Sequence, residues 1–178
     1  MENKLCNIGI LSDTHDQIHY FGKVFQYFNS HDVGLVIHCG DWVSPFSLAH
    51  YAQLKIPIYG VFGNNDGDKV RHIQYAQKFG LDAHYQDHFM SLTKFNKKIA
   101  VYHGEHVEIV QSIIKSRLYD LVLHGHDHCS GINREDNVLS INPGTLVDYS
   151  NENTQGASFA LYNPETHSGR IIYLKDIE

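Results

Sequence analysis

The chain has 178 residues, 42% of them hydrophobic, with 14 Lys and Arg against 20 Asp and Glu and a net charge of −6. That length suits one domain, residues 1–178, able to bury roughly 70% of its unfolded surface without disulfides. The acidic balance argues against a nucleic-acid partner, which calls for clustered Lys and Arg. The basic stretch 94–98 reads instead as a solvated hairpin turn. The cysteines Cys6, Cys39 and Cys129 form no CxxC pair and flank apolar runs. They read as small buried hydrophobes of a reduced, cytoplasmic chain. Residues 1–4 are expected to lead straight into a strand, with no signal peptide and no 18-residue apolar stretch, so no membrane association is expected.

Five short apolar runs rich in β-branched residues, 8–12, 34–40, 56–63, 99–104 and 120–126, read as buried strands. Ile18, Phe21, Val24, Phe25 and Phe28 keep helical spacing after the first. Ser44-Pro45 reads as an N-cap with proline at the first helical position, opening a short helix through Tyr51. A further helix is expected over 66–78, ended by Gly80. Val107, Val110, Ile113 and Ile114 mark another helical face. This alternation argues for helices packed on a largely parallel sheet. The last third differs. Residues 130–141 read as a hairpin turning near 135–137. Strands are expected at 157–162 and 170–174, joined at Asn163-Pro164-Glu165, with loops at Gly144 and 150–156. The expected fold is α/β, a four-layer αββα sandwich of two mixed sheets flanked by helices.

Polar ligand types recur where the apolar runs end. Asp13 and His15 follow the first, Asp41 the second, Asn64 the third, His103 the fourth, and His126 and His128 the fifth. One sheet edge is expected to gather them, because ligands in open α/β sheets sit beyond the carboxyl ends of strands. Oxygen and imidazole donors with a carboxylate able to bridge suit two divalent ions, and the lack of a thiolate disfavours structural zinc. Each residue alone has a plainer reading. Asp13 or Asp41 would serve to cap the helix that follows, and Asn64, Asn65, Asp66 and Gly67 are ordinary turn residues. The coincidence at five strand ends, and the alternating His124-Gly125-His126-Asp127-His128, favour the metal site.

The motifs Asp13-Thr14-His15, Gly40-Asp41, Gly63-Asn64-Asn65-Asp66, His103-Gly104 and Gly125-His126-Asp127-His128 occur in the order of a known family. By them the chain resembles the calcineurin-like metallophosphoesterases, and within these the small bacterial and archaeal phosphodiesterase group. Asn142-Pro143-Gly144-Thr145 is similar to a further segment of that group. The resemblance implies that Asp13, His15 and His128 hold one ion, that Asn64, His103 and His126 hold the other, and that Asp41 bridges them. It implies two divalent cations, with Mn²⁺ the usual one and Ni²⁺, Fe²⁺ or Zn²⁺ as alternatives, and attack on phosphorus by a shared hydroxide. Asp41, Asn64 and His103 are then the catalytic candidates, and Asn65 the substrate-binding one.

Two departures bear on activity. Many relatives place a histidine where this chain has Asn65, and an amide is no general acid. Phosphoprotein phosphatases continue the Gly-Asp motif with an aspartate–arginine segment, where this chain has Trp42-Val43-Ser44. Glu105 and His106, beside His103, are candidates for orienting a ligand or for plain surface positions. The expected function is hydrolysis of a small phosphodiester. The alternatives are a phosphomonoesterase acting on a nucleotide or metabolite, and a non-catalytic scaffold like the retromer subunit of this fold. A homodimer is left open by the number of aromatic residues, 11 Tyr and 9 Phe.

Overall fold

The computed structural model describes residues 6–148, 150–151 and 154–177. In chain order the elements are β1 (Asn7–Leu11), α1 (Ile18–Ser30), β2 (Val33–His38), α2 (Leu48–Tyr51), β3 (Ile58–Val61), α3 (Lys69–Lys78) and β4 (Ala83–Gln86). Then come β5 (Phe89–Lys94), β6 (Lys97–Tyr102), α4 (Val107–Ser116), β7 (Leu121–Leu123), β8 (Gly131–Glu135) and β9 (Val138–Asn142). The short β10 (Ser150–Asn151) and β11 (Thr154–Gln155) precede β12 (Ser158–Asn163) and β13 (Ser168–Tyr173). The first sheet has the order β13-β12-β1-β2-β3-β4, and the second β5-β6-β7-β9-β8. β1 to β4 run parallel, β12 joins β1 antiparallel, and β13 joins β12 antiparallel. Both sheets are mixed, as expected.

Alternation within the strands builds the layers. Ile8 and Ile10 face the second sheet, where they meet Ile99, Val101, Leu121, Leu123, Leu139 and Ile141 in the core between the sheets. Leu11 faces the other way, into a core shared with Phe21, Val24, Phe25 and Phe28 of α1. This is the period of two on a strand meeting the period of 3.6 on a helix. Gly9 lies between the two isoleucines on that outer face. A Cβ there would come within 2.8 Å of the Phe28 ring, so α1 seats its phenylalanine directly on bare backbone. On the far side, Val110 and Ile114 of α4 cover Ala100, Tyr102, Val122 and Val138. The order is therefore helices, sheet, sheet, helix.

Several details depart from the sequence reading. Helix α3 starts at Lys69, capped by Asp68, whose Oδ1 accepts from the Arg71 N–H at 3.0 Å. Asp66 was expected inside this helix, but its carboxylate binds loop backbone instead. Ile18 and Val107 lie at helix starts and are exposed rather than in the core. Cys39 is buried, whereas Cys6 and Cys129 are half-buried. Part of the expected loop at 150–156 is the β10–β11 ladder, while residues 152 and 153, and the expected lead-in at 1–4, lie outside the described residues. Phe95 and Asn96 form the tight turn between β5 and β6 with φ of 49° and 57°, the left-handed pair that a two-residue hairpin requires. Among the described residues no helix is long and apolar enough to cross a membrane.

Burial of histidine in the helical layer has a measurable consequence. His72 of α3 is 2% exposed, packed edge-on against Trp42, Phe62 and Tyr85. Burial lowers its pKa from 6.5 to about 4. Between these values the unfolded chain binds the proton and the folded chain does not, so stability falls as pH drops from 6.5 toward 4. Denaturant melts at pH 7 and pH 4 should show the parent losing about 3 kcal/mol more than His72→Leu. Equal acid sensitivity of the two proteins would show that His72 is already solvated in the fold.

Candidate metal centre

The seven expected ligands come together, but not on one sheet edge. Asp13 and His15 follow β1, Asp41 follows β2 and Asn64 follows β3, all of the first sheet. His103 follows β6, and His126 and His128 follow β7, both of the second. The site therefore spans the end of the sandwich where five parallel-running strands of both sheets finish.

Asp13 is fully buried at its centre. Its Oδ2 accepts from the Ser12 hydroxyl at 2.5 Å and from the His126 N–H at 2.9 Å. Among the described residues its Oδ1 has no hydrogen-bond partner. That oxygen lies 3.2 Å from His128 Nε2, 3.7 Å from His15 Nε2 and 3.9 Å from His103 Nε2. Asp41 divides its oxygens: Oδ2 is 3.5 Å from His15 Nε2 and Oδ1 is 3.4 Å from His103 Nε2. Asn64 Oδ1 sits 3.2 Å from His103 Nε2 and 3.0 Å from His126 Nδ1. Asn65 is turned into the ring, with its side-chain amide donating to Asp41 Oδ2 at 2.7 Å and its backbone N–H to Asp41 Oδ1 at 2.9 Å.

Two triads have donor atoms close enough for one ion each, Asp13–His15–His128 and Asp13–Asp41–His103. The sequence reading made Asp41 the shared carboxylate. In the structure Asp13 belongs to both triads, and each oxygen of Asp41 faces a different histidine. An orphaned carboxylate oxygen, buried and ringed by imidazoles, fits a cation and little else. A buried acceptor without a partner otherwise costs about 1–3 kcal/mol. Oxygen and imidazole donors suit Mn²⁺, Fe²⁺, Ni²⁺ or Zn²⁺.

The backbone is bent to this end. Asp13, His15, Asp41, His126 and His128 have φ of 50°, 41°, 61°, 75° and 61°. Non-glycine residues in that region cost roughly 1–3 kcal/mol each where the surroundings impose it, and they cluster at functional sites. Here the surroundings do impose it. Asp66 Oδ2 accepts from the N–H groups of Asp41 at 2.9 Å and Gly63 at 2.7 Å, and its Oδ1 from Val43 at 2.8 Å. One side chain thus ties the second ligand loop to the third. Asn142 donates to Asp127 Oδ1 at 2.7 Å, and Thr145 donates to the Asp13 carbonyl at 2.8 Å, fixing the His126–His128 loop and the Asp13 loop from one segment. His38 takes the Gly40 N–H on Nδ1 at 3.2 Å and stacks on Trp42, so its Nε2 carries the proton donated to Thr14 Oγ1 at 3.1 Å. At Gly63 a Cβ would lie 2.3 Å from Asp41 Oδ1, inside the ring itself. Sequence reasoning quoted Asp66, Asn142 and Thr145 within motifs and assigned them no role, and it missed His38. Much of their work is hydrogen bonding across 15 to 132 residues, which spacing does not encode.

Electrostatics follow the geometry. Burial alone would raise the Asp13 carboxyl, but the His128 and His15 imidazoles facing it and the charge of His103 outweigh it and hold it well below the carboxylate range. Burial likewise opposes, and His103 and Asn65 impose, a pKa of about 2 at Asp41. Burial disfavours the His103 cation, yet Asp41 and Asp13 push its pKa up to about 9. Asp13 raises that of His15.

The chain belongs to the calcineurin-like phosphoesterase superfamily, whose domain model matches residues 6–167. It is a metal-dependent phosphoesterase, a hydrolase of phosphoester bonds, of the small archaeal and bacterial group. Phosphodiesterase MJ0936 of Methanocaldococcus jannaschii is 37% identical over 142 residues, 80% of this chain and 85% of that protein. The solved structure of an archaeal phosphodiesterase has a TM-score of 0.86 at 34% identity, covering 94% of this chain and 99% of that one. Vps29 of Entamoeba histolytica, solved with zinc, has a TM-score of 0.65 at 16% identity over 93% of this chain and 97% of its own. At that identity the likeness is one of fold.

If His103 gives up its proton to become a ligand, metal uptake is coupled to pH. A group with a pKa near 9 is protonated at pH 7, so Mn²⁺ affinity should rise with pH up to about 9. Calorimetry at pH 7 in buffers of different ionisation enthalpy should show about one proton released per ion that engages His103. A heat of binding that does not change with buffer would count against His103 as a ligand.

Proposed function

We propose that the protein is a binuclear phosphodiesterase acting on a small phosphodiester, with Mn²⁺ as its working ion. One observation carries this reading: the buried, unpartnered Asp13 Oδ1 within 3.9 Å of three imidazoles, in a ring where Asp41 reaches both sides. Asp13, His15 and His128 would hold one ion, Asn64, His103 and His126 the other, with Asp41 between. Divalent ions so bound supply an activated water and a clamp on the phosphoryl oxygens. The chain's own residues do the rest. Asp66 and Asn142 hold the ligand loops, and the neutral Asn64 limits the negative charge that meets an anionic substrate. Asn65, whose amide reaches the ring, would donate to a phosphoryl oxygen. A diester is favoured over a monoester because a dianion needs more positive charge. The segment after Asp41, Trp42-Val43-Ser44, opens on a buried tryptophan and lacks the aspartate–arginine pair of protein phosphatases.

Metal-stripped protein should be inactive on bis(4-nitrophenyl) phosphate and regain turnover with Mn²⁺. Asp41→Asn should lower kcat at least about 100-fold at saturating Mn²⁺, while His84→Ala and His88→Ala, at exposed positions, stay near the parent. Saturating Mn²⁺ should also raise the melting temperature, since a hundredfold excess over Kd adds about 2.7 kcal/mol. Full activity after exhaustive chelation would end the metal reading.

Asn65 generates a separate expectation. A general acid contributes about 10²–10⁴-fold when the leaving group is poor, and an amide supplies none. Rates on diesters graded by leaving-group pKa should fall steeply, and Asn65→His should flatten the slope. A shallow slope in the parent, with chemistry rate-limiting, would place the acid elsewhere.

A further inference from the structure

A groove of about 630 Å³ begins at Gly104, Gly125 and His126, at the edge of the ring. It runs between α4 and the strands β9 and β8, past the loop that follows β7. Packing explains why it exists. The ten residues of α4 cover Val122 and Val138 but reach no further across the sheet. Ser140 lies two residues beyond Val138 on the same face, and Asn133 is its register partner on β8. Together with His124 they form a polar floor, with Val107 and Val110 of α4 as an apolar wall.

The groove's chemistry is selective. Glu105 stands at its head beside Gly104, and among the described residues its buried Oε2 has no hydrogen-bond partner. The Tyr102 hydroxyl lies beside this carboxylate, whose further acceptor capacity at the head of the groove suits a hydroxyl from a ligand. Glu108 and Glu135 line the rim. Arg134, whose guanidinium donates to the His167 carbonyl at 2.6 Å, offsets only one of the three glutamate charges. A negatively charged group would meet repulsion here. A group rich in hydroxyls would find an acceptor at Glu105, two-way partners at Ser140 and Asn133, and an apolar wall for a flat ring. The volume falls within the usual range of small-molecule sites.

We infer that this groove is the subsite for one ester group of the diester, and that the group is an uncharged, hydroxyl-bearing alcohol of nucleoside size. The inference rests on the phosphodiesterase reading and names the substrate class for it. His126 links the two, since it touches Asn64 in the ring and lines the groove.

The test compares the 4-nitrophenyl ester of uridine 5′-phosphate with methyl 4-nitrophenyl phosphate, in Mn²⁺-loaded protein. The nucleoside ester should be preferred at least about tenfold in kcat/KM, mainly through KM. Asn133→Trp fills the floor and should abolish the preference, with the methyl ester kept within about twofold of the parent. Glu105→Gln, which removes the charge and keeps the shape, should lose the preference in part and serves if the tryptophan does not fold. Equal rates on both esters in the parent would overturn the subsite alone, as would a preference that survives in folded variants. Hydrolysis of neither ester with any divalent ion would overturn the phosphodiesterase reading, and the subsite with it.

Discussion

Two carboxylates with negligible exposure, Asp13 and Asp41, lie at the end of a hydrophobic sandwich, and everything around them answers the cost of keeping them charged there. Isolated buried charge is expensive and survives only when paired and hydrogen-bonded. Here the pairing comes from histidines on a second sheet. The first sheet contributes the acids and the second the imidazoles, apart from His15. The centre thus requires both sheets in register, which the shared core of Ile8, Ile10, Leu121 and Leu123 enforces.

The same division explains where strain is located. Strands end cleanly at Leu11, His38 and Leu123, and the residues after them turn into left-handed conformations that point donors at one place. Extended backbone alone would alternate Asp13 and His15 on one face and carry them away from the ring. Polar clamps from Asp66, Asn142 and Thr145 hold the turns, so the strain is sustained by the fold rather than by local preference. This is rigid support of the kind a metal site needs around its ligands.

This fold persists where the sequence does not. The Vps29 likeness persists at 16% identity, so the sandwich tolerates wide replacement of residues. On a shared fold, function lives in sites built on the loops and on the faces the helices leave bare. The short α4 and the polar strip Ser140–Asn133 beside it are such a feature, as is Asn65 turned onto Asp41.

The amino-acid sequence by itself determined β1 to β3, β6 to β9, β12 and β13, the helices α1 and α4, the mixed two-sheet class and the seven candidate ligands, because apolar periodicity and chemically unusual residues at run ends are local signals; the edge strands β4 and β5 and the short β10–β11 ladder carried no such signal. It misplaced the start of α3, and it set Ile18 and Val107 in apolar helical patterns although both are exposed, because capping by Asp68 and the exposure of a first turn depend on neighbours. It drew the ligands to one sheet edge, since nothing local says that β6 and β7 belong to another sheet. Only the tertiary structure decided that Asp13 lies in both triads with an orphaned oxygen, that Asp66 serves backbone rather than helix, and that a groove adjoins His126. Each of these depends on groups brought together from distant parts of the chain, where distance and burial set the energy and spacing carries no information.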